Sequence, residues 1–592
     1  MASAAGQPTI EVGEHPFGER VNTGSDRRGK KRRPPLTRQE YAQAVLSYSQ
    51  LSVTQSLYAG VHFENLARYL QQPYEARAPD LVARNNDTQK TPTFTFVTLY
   101  NLDPAAEERE SQINSPDGFE SKAAEMANSP HGRLIFMRGH PSPEWLLSIG
   151  ATYRVDPEFF RRHLDFRQGL RDHYWLPSPP SSLNTALRLR ITTIGASVSK
   201  ARTSSEQDVI EALRELSQSR LSDYREKLKS LAEMKLGDSI MRDFSVHDLE
   251  QFTIEQDISL YVGTCGPGWF ALIWLDITNN LKDGPATSFF TNPRRTGSWA
   301  ISSVPVIQHR PGLALRQTPK HRARAREEAQ LKDHIPTSSG GGMAQSASLL
   351  HLDYGMDLDK TLAGGDSFYA LHEVIVFTAF SENQFLNMLE TKLLHELDPL
   401  LLVRQQEPTL SNLLYNQRVL DRHIQRIRDN LTMFKARESL GWPKMTSAQP
   451  GKQRIADEAA EKLIHDYEYL LARALTLSEQ CSRGMQVVMN NAMVKESRDA
   501  MDQAKGVAKL TRLAFIFVPL SFTASFFGMN FVQFGQGSLD LWIWFAVSTP
   551  IFVVSLLSMK YDITGGSTKA ARRPAAVSQN TDTRGTEPKT QV

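Results

Sequence analysis

The chain has 592 residues, 22% of them charged and 40% hydrophobic, with a mean hydropathy of −0.39. This average excludes a many-helix transporter with apolar runs along its whole length, and 68 basic against 65 acidic residues give no global attraction to nucleic acid. Two cysteines, Cys265 and Cys481, cannot build a disulfide framework or a Cys-x-x-Cys metal site, so a reducing compartment is expected.

Residues 1–45 read as a disordered basic arm. The stretch is polar and contains Arg27-Arg28-Gly29-Lys30-Lys31-Arg32-Arg33 ahead of Pro34-Pro35. A solvated or lipid-attracted tail is favoured over a nuclear-localisation signal, and no apolar h-region follows to make a secretory signal. Gly24 to Lys30 fits the phosphate-loop spacing, yet Lys31 stands where Ser or Thr would hold the metal and no strand precedes it.

Residues 90–280 predict a cytoplasmic α/β domain. Strands are expected at Phe94–Tyr100, Arg133–Met137, Leu187–Ile194 and Phe270–Leu275, all rich in β-branched and aromatic residues. Helices are expected at Pro143–Ile149 and Val155–Leu164, the second with Asp156 as N-cap and Pro157 at the first helical position. Residues 281–365 read as a disordered insertion or linker, with an Arg-rich run at Arg322–Arg326 and a Gly340-Gly341-Gly342 run that lacks a following Lys-Ser or Lys-Thr.

Residues 366–512 predict long helices and a stalk. Leu410, Leu413, Leu414, Leu420, Ile424, Ile427, Leu431 and Phe434 recur at helical spacing, and Gly441-Trp442-Pro443 breaks the pattern. A second stripe runs from Leu463 through Tyr467, Leu470, Cys481 and Met485 to Met489, and Cys481, Met485, Met489 and Met493 are expected in the core rather than on a metal. From Ile455 to Phe527 one helix would reach roughly 110 Å, with Gly484 and Gly506 as potential bends. Asp457, Glu458, Glu461, Asp466 and Glu468 read as a solvated face, with intracellular ion binding as the less favoured alternative.

Leu513–Phe534 is 22 residues without a charge, and Leu541–Met559 is another 19. Nineteen helical residues span about 28 Å, close to the roughly 30 Å hydrocarbon core of a bilayer. Two transmembrane helices are expected, 513–531 and 541–559, joined by an outer loop 532–540 and followed by a cytoplasmic tail 560–592. Lys505, Lys509 and Arg512 precede the first run, Lys560, Lys569, Arg572 and Arg573 follow the second, and the connection has no Lys or Arg. The positive-inside rule then puts both termini in the cytoplasm.

The first run ends in Phe527-Gly528-Met529-Asn530-Phe531 and contains Phe517-Val518-Pro519-Leu520-Ser521-Phe522. These segments resemble the CorA superfamily of divalent-cation channels, whose Gly-Met-Asn signature closes the first of two C-terminal transmembrane helices. The resemblance extends loosely to Trp145–Leu164, in a form associated with fungal members. It implies an α+β membrane protein: a large N-terminal cytoplasmic α/β domain, a helical stalk and two membrane helices in a funnel-shaped pentamer. Two helices cannot enclose a pore, so a homo-oligomer follows on physical grounds as well.

The resemblance assigns ion selectivity to Gly528, Met529 and Asn530, with the Asn530 carbonyls as a low-affinity ring for a hydrated ion. Helical steps inward from Asn530 give Ser525, Ser521, Val518 and Ala514 as pore-lining residues, then Leu510 and Val507 as an apolar gate that closes by dewetting. No carboxylate lies on this path, which suits Mg²⁺, a cation that sheds water reluctantly. A plain helix C-cap is the alternative role of Asn530. The family pattern is departed from at Ser521, where Thr is frequent, at Phe527, where Tyr is frequent, and in an outer loop whose single acid is Asp540.

The expected function is downhill movement of Mg²⁺ or a related divalent cation, two charges crossing 100 mV gaining about 4.6 kcal/mol. Zn²⁺ transport is an alternative within the family, and a membrane-anchored interaction protein with a non-conducting pore is an alternative of another class. No enzyme motif is found, no cofactor is expected beyond the transported ion, and membrane lipid is the other expected partner. The plasma membrane is the expected location, as no Arg-rich presequence is evident.

Overall fold

The computed structural model describes residues 35–52, 54, 56–75, 94–164, 186–197, 206–230, 234–278, 301–310, 345–356, 358–398, 406–445, 450–527 and 540–567. The chain divides into two units, residues 1–486 and 487–592.

An eight-stranded mixed sheet organises the first unit. Its strands are β1 (Val97–Asn101), β2 (Glu110–Ile113), β3 (Arg133–Arg138), β4 (Ala186–Ser197), β5 (Asp243–Val246), β6 (Gln251–Cys265), β7 (Gly268–Leu275) and β8 (Ile301–Ser303). The order is β2-β1-β3-β7-β6-β4-β8, with β5 also on β6. β3 and β7 pair in parallel at the centre and are buried along their whole lengths, as expected of strands covered on both faces.

Alternate residues of these strands serve the two faces. Val97, Leu99, Ile135, Met137, Phe270, Leu272 and Trp274 enter one core with five helices. These are α1 (Arg38–Ser49), α2 (Glu64–Glu75), α3 (Pro116–Glu125), α4 (Pro143–Tyr153) and α5 (Pro157–Leu164). α1 starts in a capping box, where Thr37 Oγ1 accepts from the Glu40 amide and Glu40 accepts from the Thr37 amide. α5 starts as the sequence suggests, the Asp156 carboxylate accepting from the Glu158 amide at 2.9 Å.

The intervening Tyr100 and Phe136 point the other way, their rings 5.2 and 5.5 Å from Tyr354. That face is covered by α9 (Ser367–Glu396), which follows α6 (Glu206–Ser230), α7 (Leu350–Asp353) and α8 (Lys360–Gly365) along the chain. Ser381 of α9 binds both the amide and the carbonyl of Thr192 in β4. α10 (Gln406–Lys435) and α11 (Pro450–Phe527) follow, and α12 (Leu541–Ser567) ends the described chain.

Gly139 shows why one turn demands glycine. Its φ is +67°, an added Cβ would lie 2.7 Å from the Asp238 carbonyl oxygen, and its own carbonyl accepts the Trp274 indole N–H at 2.9 Å.

Several expectations change. Residues 38–45, assigned to the arm, belong to α1, with Tyr41 and Val45 buried in the main core. The 281–365 segment contains β8, α7 and α8, so it is more than a linker. The α/β domain therefore extends outside 90–280 at both ends. The helical assignment of α11 runs through both Gly484 and Gly506, and Gly484 faces Leu397 and Leu413 where an added Cβ would crowd them. Met489 and Met493 are exposed, while Cys481 is buried as expected. The Arg-rich basic run, the triple glycine and the tail after 567 lie outside the described residues.

Candidate functional site

The second unit holds the end of α11 and all of α12. Among the described residues, α11 is the one helix long and apolar enough to cross a membrane, and 6% of its most apolar stretch is buried. α12 carries a shorter apolar stretch, Leu541–Leu557. Pro519 and Pro550 stand inside these helices, each lacking the amide that would donate to the carbonyl four residues earlier.

Burial along α11 is one-sided. Thr523 is buried and Ile516, Pro519 and Leu520 are half-buried, whereas their neighbours are exposed. On α12 the matching residues are Ile543, Trp544, Ser548, Phe552, Ser555 and Leu556. The Ser548 hydroxyl donates to Thr523 Oγ1 at 3.0 Å, fixing the two helices to each other.

The six residues expected to line a pore lie elsewhere on the helix. At about 100° per residue, Val507, Leu510, Ala514, Val518, Ser521 and Ser525 form one stripe centred about 180° from the Thr523 face. All six are exposed, Leu510 by 67% and Val518 by 63%. The hydroxyls are satisfied within the helix in part, Ser521 donating to the Val518 carbonyl at 3.2 Å. Gly528, Met529 and Asn530 lie outside the described residues, as does the loop through 539.

A second feature, not foreseen from the sequence, is a charge network inside the first unit. Five carboxylates, Asp243, Glu255, Asp257, Asp276 and Glu382, meet the guanidinium groups of Arg188, Arg190, Arg242, Arg422 and Arg426 and the imidazoles of His163 and His423. Arg242 holds Asp276 in a fork, Nε to Oδ2 at 2.7 Å and Nη2 to Oδ1 at 2.8 Å. Arg190 reaches Asp257 at 2.6 Å and Glu255 at 2.9 Å, and Arg426 closes on Glu255 from α10.

Burial pushes the Glu255 and Asp276 carboxyls up, but Arg426 beside Glu255 and Arg242 beside Asp276 hold both well below the usual carboxylate range. His423, buried and stacked on Phe385, sits 2.7 Å from Glu382 and 3.5 Å from Glu255. Burial pulls its pKa down, and the two carboxylates overcome that and raise it. His163 ends differently: burial brings it down to about 4 despite Asp276 at 3.1 Å.

The network ties β4 and β6 to α9 and α10, with arginines on Asp243, Glu255, Asp257 and Asp276 and His423 on Glu382. Among the described residues no cluster of His, Cys, Asp and Glu can hold a metal. The acids suggested along α11 are partly paired with cations, Glu458 with Arg454 at 3.2 Å and Glu468 with Lys435 at 2.5 Å. A signal for the network was present in Arg188-x-Arg190 and Glu255-x-Asp257, each pair set two apart within its strand.

Among the described residues the chain is thus mixed α/β, mostly helical, with one helix long and apolar enough to cross a membrane. No family model and no curated protein matches its sequence. Among solved structures it is similar to the CorA magnesium transporter from Methanocaldococcus jannaschii. That match has 12% identity and a TM-score of 0.25, and covers 62% of this chain and 97% of the other.

Proposed function

We propose that this chain is a subunit of an oligomeric membrane channel for Mg²⁺ or a related divalent cation. α11 would line the axis and Asn530 would ring the outer mouth. The observation that carries the reading is the opposition of two faces on α11: the side bearing Thr523 packs on α12, and the side bearing Val507, Leu510, Ala514, Val518, Ser521 and Ser525 is exposed among the described residues. An apolar stripe that turns weakly polar toward one end suits a conduit for a hydrated cation, with Leu510 and Val507 supplying the apolar ring that would gate by dewetting. The remaining exposed apolar surface of the hairpin suits lipid.

In this reading the hydrated cation is cargo and crosses without dehydrating fully, held by the side-chain carbonyls of Asn530. Gly528 lets the chain turn at the helix end, and Met529 packs behind it. The sheet domain and its charge network form a rigid cytoplasmic body, and no catalytic residue is assigned.

Reconstituted full-length protein tests this by dye-reported uptake of Mg²⁺, Co²⁺, Ni²⁺ and Zn²⁺, wild type beside Asn530→Ala. Uptake lost in the variant supports the ring. Absence of uptake from an assembled wild-type oligomer would make the chain a membrane-anchored interaction protein instead.

A further inference from the structure

Beyond conduction, a basic stripe lies immediately before the apolar part of α11. Arg498, Lys505, Lys509 and Arg512 are spaced seven, four and three residues apart, and the same steps continue to Ile516, Leu520 and Thr523. At about 100° per residue all of them share one face, the face that α12 packs on further along. The cations therefore point away from the stripe that contains Leu510 and Val507.

The stripe is exposed throughout. Asp502 shares the face and pairs with Lys505 at 2.8 Å. Arg498, Lys509 and Arg512 make no ion pair among the described residues, and Glu496 and Asp499 fall on other sides of the helix. One helical face thus passes from unpaired cations to apolar residues within a single turn, between Arg512 and Ile516. A phospholipid has the complementary profile, an anionic phosphate above an acyl chain.

We infer that this face of α11 binds the headgroups of anionic phospholipids in the leaflet that the stalk enters. Arg512 and Lys509 would contact the phosphates, and Arg498 and Lys505 would add longer-range attraction. The inference rests on the membrane reading above. Lipid held there would sit beside α12 and outside the conduit, so its occupancy would brace the hairpin without blocking the ion path.

The test uses full-length protein in nanodiscs of phosphatidylcholine mixed with phosphatidylserine, with co-retained lipids counted by native mass spectrometry after release. Wild type is expected to be enriched in phosphatidylserine over the bulk ratio. Lys509→Gln and Arg512→Gln should each lower the enrichment about fivefold, which corresponds to ~1 kcal/mol per cation near a membrane surface. Gln503→Ala, on the opposite side of the helix, should leave it unchanged. Equal enrichment in wild type and the double variant overturns the inference while leaving the channel reading intact. Protein that washes off membranes in alkaline carbonate overturns the membrane reading itself. Full displacement by soluble glycerophosphoserine would show a site for the free phosphate ester, and would also contradict a lipid site.

Discussion

Thr523 and Ser548 are the polar pair that joins the two apolar helices, a hydroxyl–hydroxyl hydrogen bond of 3.0 Å between residues that are both buried while most of their surroundings are exposed. In an apolar medium such a bond is worth about 0.6 kcal/mol on average. Ser548→Ala should therefore lower the thermal stability of the detergent-solubilised protein only slightly. Ser548→Leu should lower it much more, because the bulkier side chain wedges the helices apart at their close approach. Equal losses from both variants would show that packing at this point is unimportant.

Removing a carboxylate from the charge network should be far more costly than removing the hairpin hydrogen bond. Glu255→Gln takes the buried counter-charge from Arg426 and leaves Arg190 with Asp257 alone, for an expected loss of about 3–5 kcal/mol. A conservative change at an exposed acid such as Glu479, which pairs with Arg483 on the helix surface, should cost less than about 0.5 kcal/mol. Comparing the two variants by denaturant unfolding of the sheet-containing unit checks the contrast.

Acid sensitivity follows from the histidines. His140, His163 and His372 are brought down to about 4 by burial and His247 to about 3. A lowered folded-state pKa means that the unfolded chain binds more protons below its value of about 6.5, so stability falls as pH drops from about 6.5 toward 4. Each such group contributes a slope of up to about 1.4 kcal/mol per pH unit. His423 has the opposite sign: its pKa is raised, so its contribution is complete below about 6.5 and is lost as pH rises through the folded-state value. Melting temperature against pH should show the acid limb in wild type and in His423→Gln alike, with the variant losing only the alkaline decline.

The two glycines of α11 should respond in opposite directions. A Cβ at Gly484 would come within 2.3 Å of Leu397 and 3.1 Å of Leu413, so Gly484→Val should cost about 1–3 kcal/mol, partly recovered by Leu397→Ala. Gly506 has nothing within 4 Å, and Gly506→Ala should stabilise the helix by about 1 kcal/mol. Helix content and melting temperature of the single and double variants decide it.

What could be read in advance depended on how each segment meets its surroundings. α10 is one-sided, so its stripe from Leu410 to Phe434 is legible as a 3.6 period. α9 is buried over most of its circumference and shows no such stripe. β6 was hidden because Glu255, Gln256 and Asp257 interrupt its apolar pattern, and only the partners that tertiary structure brings to them explain why charges are tolerated there. α1 was masked by the basic run before it, although Thr37 and Glu40 already held the capping-box spacing.

In the proposed channel one face of α11 lines an ion path and the opposite face does not. Single cysteines placed at Val518, Ser521 and Ile516, in a background with Cys265 and Cys481 changed to Ser, measure this when Mg²⁺ uptake into proteoliposomes is followed before and after a charged, water-soluble thiol reagent. The account predicts that the reagent blocks uptake through Val518→Cys and Ser521→Cys and spares Ile516→Cys. Block through Ile516→Cys alone, or uptake indifferent to all three, would contradict it.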